Sequence, residues 1–173
     1  MKLYIKSIRI PFFFILSFPL LTSFNMGRKD VTDSYQIQIV SVNMVGNNQQ
    51  WTWSLVNPNP GNGTNGTLQD IGHWSVQLNP DAEAALVSAE YSYDGVTWHT
   101  ADAVVDRDPS IKICTTVDVL KYTVSTSGTN PSYCRMTLNT DFPVNQYSTS
   151  WIKTGGGQQG CNLYYFSGIG HWE

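Results

Sequence analysis

In the stretch 71–78 a glycine, Gly72, frees the backbone and the side chains then alternate, with Trp74, Val76 and Leu78 on one side and His73, Ser75 and Gln77 on the other. A period of two is the signature of a strand with one buried face. Residues 50–56 repeat it with Trp51, Trp53 and Leu55, so that four of the six tryptophans fall between Trp51 and Trp98. In 34–45 the apolar set begins on Tyr35, Ile37 and Ile39 and then moves to Val40, Val42 and Met44. One slipped residue predicts a bulge or a strand crossing between sheets. Gly46, Asn47 and Asn48 supply the turn that joins these two strands as an antiparallel hairpin.

Further strands follow from the same pattern at 86–93, 96–99, 111–115, 117–125, 133–138, 148–153 and 162–166, separated by Gly and Pro. Residues 57–66 contain almost nothing but loop formers and predict an exposed loop. Asn79 followed by Pro80 predicts an N-cap and first helical residue, giving one short helix near 80–86. Asp94 and Gly95 predict a two-residue hairpin turn. The elements add up to an all-β chain, an antiparallel β-sandwich of Ig-like or jelly-roll-like type with about 8–10 strands and at most one short helix.

The first residues follow a different logic. Lys2, Lys6 and Arg9 precede an apolar run over 10–21, with small residues at Thr22 and Ser23. This is the form of a secretory signal. About a dozen apolar residues, broken by Pro11 and Pro19, fall short of the roughly 20 needed to span a bilayer. The expected organisation is a signal peptide over 1–25, a polar linker over 26–33 and a single β-sandwich domain over 34–173, secreted or on the cell surface with no membrane segment in the mature form. Composition agrees with export: charged residues make up 13% of the chain, against about a quarter in ordinary domains. A net charge of −3 without a long basic run argues against nucleic acid as a partner.

Three cysteines, Cys114, Cys134 and Cys161, predict one disulfide and one remaining thiol in an exported chain. Cys134 with Cys161 is the favoured pair, since both follow loops late in the chain, while Cys114 sits in an apolar strand pattern where a buried thiol is ordinary. No two Cys or His lie two to five residues apart, so no metal and no cofactor is expected. The glycines at 155–157 are not followed by a helix bearing Gly-Lys-Ser or Gly-Lys-Thr, so they predict a flexible connection and not a phosphate cradle. Asn62-Gly-Thr64 and Asn65-Gly-Thr67 are formal glycosylation sequons of a kind that Asn-Gly turns generate often. Ser92 to Trp98 resembles the Asp-box turn of sialidase-like propellers, but it occurs once and lacks the residue between Asp94 and Gly95, which leaves a plain hairpin.

Several short pieces carry a wider resemblance: Trp51 to Val56, Gly72-His-Trp74, Asp108-Pro109 to Ile113, Leu120 to Val124, Ile152-Lys-Thr-Gly-Gly156 and Gly160-Cys161. In this order they resemble a group of uncharacterised secreted bacterial surface β-sandwich domains. The resemblance covers most of the mature chain and implies fold and export; no activity, cofactor or ligand comes with it.

Candidate catalytic groups are His73, His99, His171, Asp81, Glu83, Glu90, Asp102, Asp106, Asp108 and Asp141. No nucleophile elbow or His-Glu-x-x-His helix accompanies them, so no enzyme is expected. Hydrolysis of a glycoside takes two converging carboxyls, and the alternative is therefore a glycan-acting hydrolase built around Asp106. Binding is the favoured function: adhesion, matrix or carbohydrate contact, with an extracellular polysaccharide or surface protein as partner. Exposed aromatic faces stack on sugar C–H groups while amides bond hydroxyls. Trp51 and Trp53 share a face with Leu55 and belong to the core, which leaves Trp98, Trp151, Tyr147 and His73 as the ligand-binding candidates.

Overall fold

The structure, a computed structural model, describes residues 35–107, 115–154 and 161–170. The expected signal peptide and linker, Cys114, Asp108, most of the 111–115 strand, the glycine run, His171 and Trp172 lie outside those residues. Among the described residues ten strands and one helix occur, in the order β1 (Gln36–Val45), β2 (Asn48–Val56), β3 (Ile71–Val76), α1 (Pro80–Ala84), β4 (Leu86–Ser92), β5 (His99–Ala101), β6 (Val105–Asp106), β7 (Val119–Tyr122), β8 (Ser132–Leu138), β9 (Val144–Thr154) and β10 (Cys161–Ile169). They form two five-stranded sheets, ordered β1-β2-β8-β4-β5 and β10-β9-β3-β7-β6. Every pairing between these strands is antiparallel. The chain is thus the all-β sandwich expected from the alternation, with a short helix beginning where Asn79 and Pro80 put it.

The first hairpin turns at Gly46 and Asn47, Val45 pairing with Asn48, and the φ of +63° at Gly46 is one that glycine adopts at no steric cost. The parity shift in β1 is a bulge: the register to β2 jumps between Ile39 and Ser41, which lets Ile37, Ile39 and Val42 all reach the core. β2 then runs between β1 and β8 and presents Trp51, Trp53 and Leu55 inward, all fully buried. Trp51 stacks on Trp53 at 5.7 Å, Trp53 meets Trp74 of the opposite sheet edge-on at 5.7 Å, and Trp74 stacks on Tyr122 at 5.4 Å. Burying about 150–250 Å² of each indole contributes on the order of 4–6 kcal/mol before ordering entropy.

Buried polar groups tie the loops to this core. The Asn57 amide donates to the carbonyls of Leu68 and Gln69 and accepts from Asn59 N–H, which fixes the loop before β3. Gln49 accepts from Trp51 Nε1 and from Phe142 N–H, and donates to the Phe142 carbonyl. Asn79 Oδ1 accepts from Ala82 N–H at 2.8 Å as the N-cap of α1, and its Nδ2 donates to the Gly170 carbonyl.

Three expectations are corrected. The Cys134–Cys161 bridge is not formed. Cys134 is a free thiol, wholly buried on the inward face of β8 between its register partners Trp53 and Tyr91, whereas Cys161 opens an edge strand of the other sheet. Burial pushes the Cys134 thiol well above its ordinary pKa, which leaves it unreactive. The turn after β4 is not a two-residue hairpin, because the last pair is Tyr91 with His99. The strand expected at 117–125 is the shorter β7, and the two-residue strand β6 pairs beside it.

Candidate functional site

In β9 the alternation sends Ser148, Ser150 and Ile152 inward and Tyr147, Thr149, Trp151 and Lys153 to the outer face of the second sheet. The register aligns Ser75 with Trp151 and Lys121, His73 with Lys153, Leu163 with Trp151, and Tyr165 with Thr149. Three of the four expected ligand residues, Tyr147, Trp151 and His73, therefore share this face, but His73 is opposite Lys153, well along β9 from Tyr147.

Their exposures differ sharply. Tyr147 is 69% exposed, Tyr165 58% and Leu163 49%, while Trp151 is 7% exposed. The expectation that Trp151 offers a stacking surface is thus corrected. It lies mid-strand between β3 and β10, on a part of the outer face where Ser75 and Val119 are also fully buried. His73 is half-buried beside Lys153. Tyr147 owes its exposure to a bulge: the register passes from Phe166–Ser148 to Gly168–Asn145, which sets Gln146 and Tyr147 against the single residue Ser167. The Tyr147 N–H donates to Asn145 Oδ1 at 3.0 Å, holding the bulged backbone.

A groove of about 250 Å³ opens beside Tyr147, lined among others by Gln77, Asn79, Asn145 and Thr149. Asn79 is spent on the helix cap and on Gly170, so the exposed Gln77 amide, Asn145 Nδ2 and the Thr149 hydroxyl are the polar groups the groove offers. Gln77 comes from the polar side of the alternating stretch. Tyr165 and Leu163 were not singled out in the sequence, because residues 163–166 read Leu-Tyr-Tyr-Phe and show no polar face by which to assign them.

Trp98 lies apart, over the outer face of the first sheet. The Arg135 guanidinium sits 3.9 Å from its ring centroid. Arg135 in turn forks onto Glu90, with Nε to Oε2 at 2.6 Å and Nη2 to Oε1 at 2.9 Å. One indole face is therefore occupied by a cation, and Trp98 does not join the Tyr147 site.

A second cleft of about 380 Å³ opens at the flank where the chain crosses from β5 to β6, lined by Tyr91, Thr100, Asp102, Asp106, Lys121 and Thr123, with Ala101 and Val104. Tyr91 stacks on His99 at 5.3 Å beside it. Of the expected carboxylates it gathers two, Asp102 and Asp106. Glu90 is held by Arg135, Asp81 and Glu83 lie on α1, and Asp141 lies in the β8–β9 connection. Both cleft carboxylates are exposed to solvent.

Among the described residues no three His, Cys, Asp or Glu side chains gather in a way that would hold a metal, and no helix is long and apolar enough to cross a membrane. Comparison with protein-family models, curated proteins and solved structures found no match to this chain.

Proposed function

We propose that this chain is a secreted or cell-surface, non-catalytic β-sandwich module that contacts polysaccharide through the outer face of its second sheet. The observation that carries this reading is the exposed, uncharged Tyr147, Tyr165 and Leu163 on that face, each about half exposed or more, with Tyr147 lining the groove of Gln77, Asn145 and Thr149. Tyrosine rings stack on the C–H faces of a sugar, and amides and hydroxyls bond its hydroxyl groups. A flat strand surface suits an extended polymer, since neighbouring outward positions recur along the strand at a regular rise. Tyr147→Ala and Tyr165→Ala are each expected to weaken retention on polysaccharide about tenfold, roughly 1.4 kcal/mol, while Trp98→Ala leaves it unchanged. Affinity electrophoresis through gels of soluble polysaccharides and a glycan array measure this. Absence of retention on any glycan, or loss only with Trp98→Ala, sinks the reading.

A glycan-acting hydrolase is the second reading, supported by Asp102 and Asp106 lining one cleft. Against it, a general acid needs a carboxyl kept protonated by desolvation or by a close carboxylate, and both of these side chains stand in water. Release of reducing ends by the protein, abolished in Asp102→Asn or Asp106→Asn, would establish hydrolysis; no release is the expected result.

A further inference from the structure

The two flanks of the sandwich end in different kinds of edge. On one, the edge strands are β5 and β6, of three and two residues, and Asp106 and the Arg107–Asp118 ion pair at 3.4 Å lie beside them. Short, charged edges resist pairing with another chain. On the other flank the edges are β1, of ten residues, and β10, of nine. Neither contains Lys, Arg, Asp, Glu or Pro. β1 is interrupted near its middle by the bulge at Val40, which re-aims its edge. β10 stays regular from Cys161 to Phe166, and the bulge of its pairing with β9, which lies on β9, comes only beyond that run. Among the described residues no strand pairs with its outer edge.

A regular, uncharged strand edge carrying exposed Leu163 and Tyr165 is a template for strand addition. We infer that β10 pairs antiparallel with β10 of a second copy of this chain, about a two-fold axis through Tyr164. The occupant follows from the sequence of the edge itself. With the axis at Tyr164, Leu163 of each copy stands opposite Tyr165 of the other, so the two exposed apolar side chains meet each other twice on the outer face. Aromatic and aliphatic cross-strand pairs of this kind are favourable. No charge of β10 meets a like charge, because β10 has none. A slip of one residue sets outward Leu163 against inward Tyr164, which antiparallel pairing across that axis forbids. The interface is self-complementary and closes at two chains. It joins the second sheets into one continuous sheet; because Leu163 and Tyr165 also belong to the proposed polysaccharide face, association is measured with no polysaccharide present.

Sedimentation velocity of the purified protein over a wide concentration range tests this. A reversible monomer–dimer equilibrium is expected. The double variant Leu163→Lys/Tyr165→Lys sets like charges across the axis and raises the dissociation constant by at least about tenfold, as does Leu163→Glu/Tyr165→Glu. An equimolar mixture of the two restores a dimer, which shows that each variant is folded and that the two β10 edges meet each other. Val40→Lys on the other long edge leaves the dimer intact. A protein that stays monomeric throughout, polymers beyond two chains, a mixture that fails to pair, or a Val40→Lys variant as defective as the β10 variants each overturn the inference.

Discussion

Trp53 and Trp74 have rings 5.7 Å apart in one core and are equally buried, yet they differ at one atom. Trp53 Nε1 donates to the Ser167 carbonyl at 3.0 Å, and Trp74 Nε1 is buried with no partner among the described residues. A buried donor without an acceptor carries its full desolvation cost, so removing it returns part of what the lost area costs. Trp53→Phe also strips the Ser167 carbonyl of its donor. Trp53→Phe is therefore expected to destabilise more than Trp74→Phe, by about 1 kcal/mol, read as the difference between their urea midpoints at equal slope. Equal losses would mean that the Trp74 nitrogen has a partner after all. Strand parity in the sequence assigned Trp51, Trp53, Leu55, Trp74 and Val76 to the core, where they are. Trp151 was expected to offer its ring to a ligand; it does point to the outer face, but it is buried there. Alternation tells which residues share a face and is silent on whether something covers that face. The same holds for Trp98, whose Arg135 neighbour comes from a strand distant in the sequence.

At the scale of elements, what could be read depended on how local the chemistry is. The start of helix α1 was legible because its cap is a contact between neighbours, Asn79 Oδ1 to Ala82 N–H, whereas its end was not: the expected helix near 80–86 stops at Ala84 and Leu86 already opens β4. The β4–β5 turn was not, although its Asp-Gly pair is a strong hairpin signal. Side chains there compete with the ladder for the backbone. Asp94 Oδ1 accepts from Val96 N–H at 2.8 Å and Thr97 N–H at 2.7 Å, and from the Ser92 hydroxyl at 2.9 Å. Ser92 Oγ accepts from Gly95 N–H at 2.9 Å, with Gly95 at a φ of +75°. The loop is thus wrapped around one carboxylate. Hydrogen bonds from the Thr97 and Val96 backbone, and then from Ser92, hold that carboxyl well below the usual carboxylate range. A carboxyl depressed in the folded state adds stability that is complete above its unfolded pKa of about 3.9 and is lost as pH falls toward the folded value. The wild-type protein should lose stability on acidification below about pH 4. Asp94→Asn should be less stable at neutral pH and show a flatter acid limb. Urea midpoints across the acid range decide this, and parallel acid limbs in the two proteins would remove Asp94 from the account.

For the molecule as a whole, the two outer faces carry different kinds of group, and the difference can be separated by experiment. Fold class was legible because period-two alternation recurs through most of the chain. The strand order was not, since β8 lies between β2 and β4, and β9 beside β3, through pairings between residues far apart in sequence. Only that interleaving puts Tyr147 of β9 beside Gln77 just past β3, and only it sets Arg135 of β8 against Glu90 of β4. The outer face of the first sheet thus holds a forked ion pair whose side chains are 22% and 24% exposed and which lies under Trp98. The outer face of the second holds exposed rings with no ion pair among the described residues of β9 or β10. Glu90→Gln breaks a bidentate, charge-assisted pair that is only partly screened by solvent and should lower stability by about 1 kcal/mol, while leaving polysaccharide retention unchanged. Tyr147→Ala should do the reverse, with stability within about 0.5 kcal/mol of wild type and retention reduced. Unfolding curves and affinity electrophoresis on the same two variants give the four values. If Glu90→Gln loses retention along with stability, binding tracks the general integrity of the fold and no longer belongs to one face; if Tyr147→Ala loses stability as well, its ring is part of the packing and not a surface held out to a ligand.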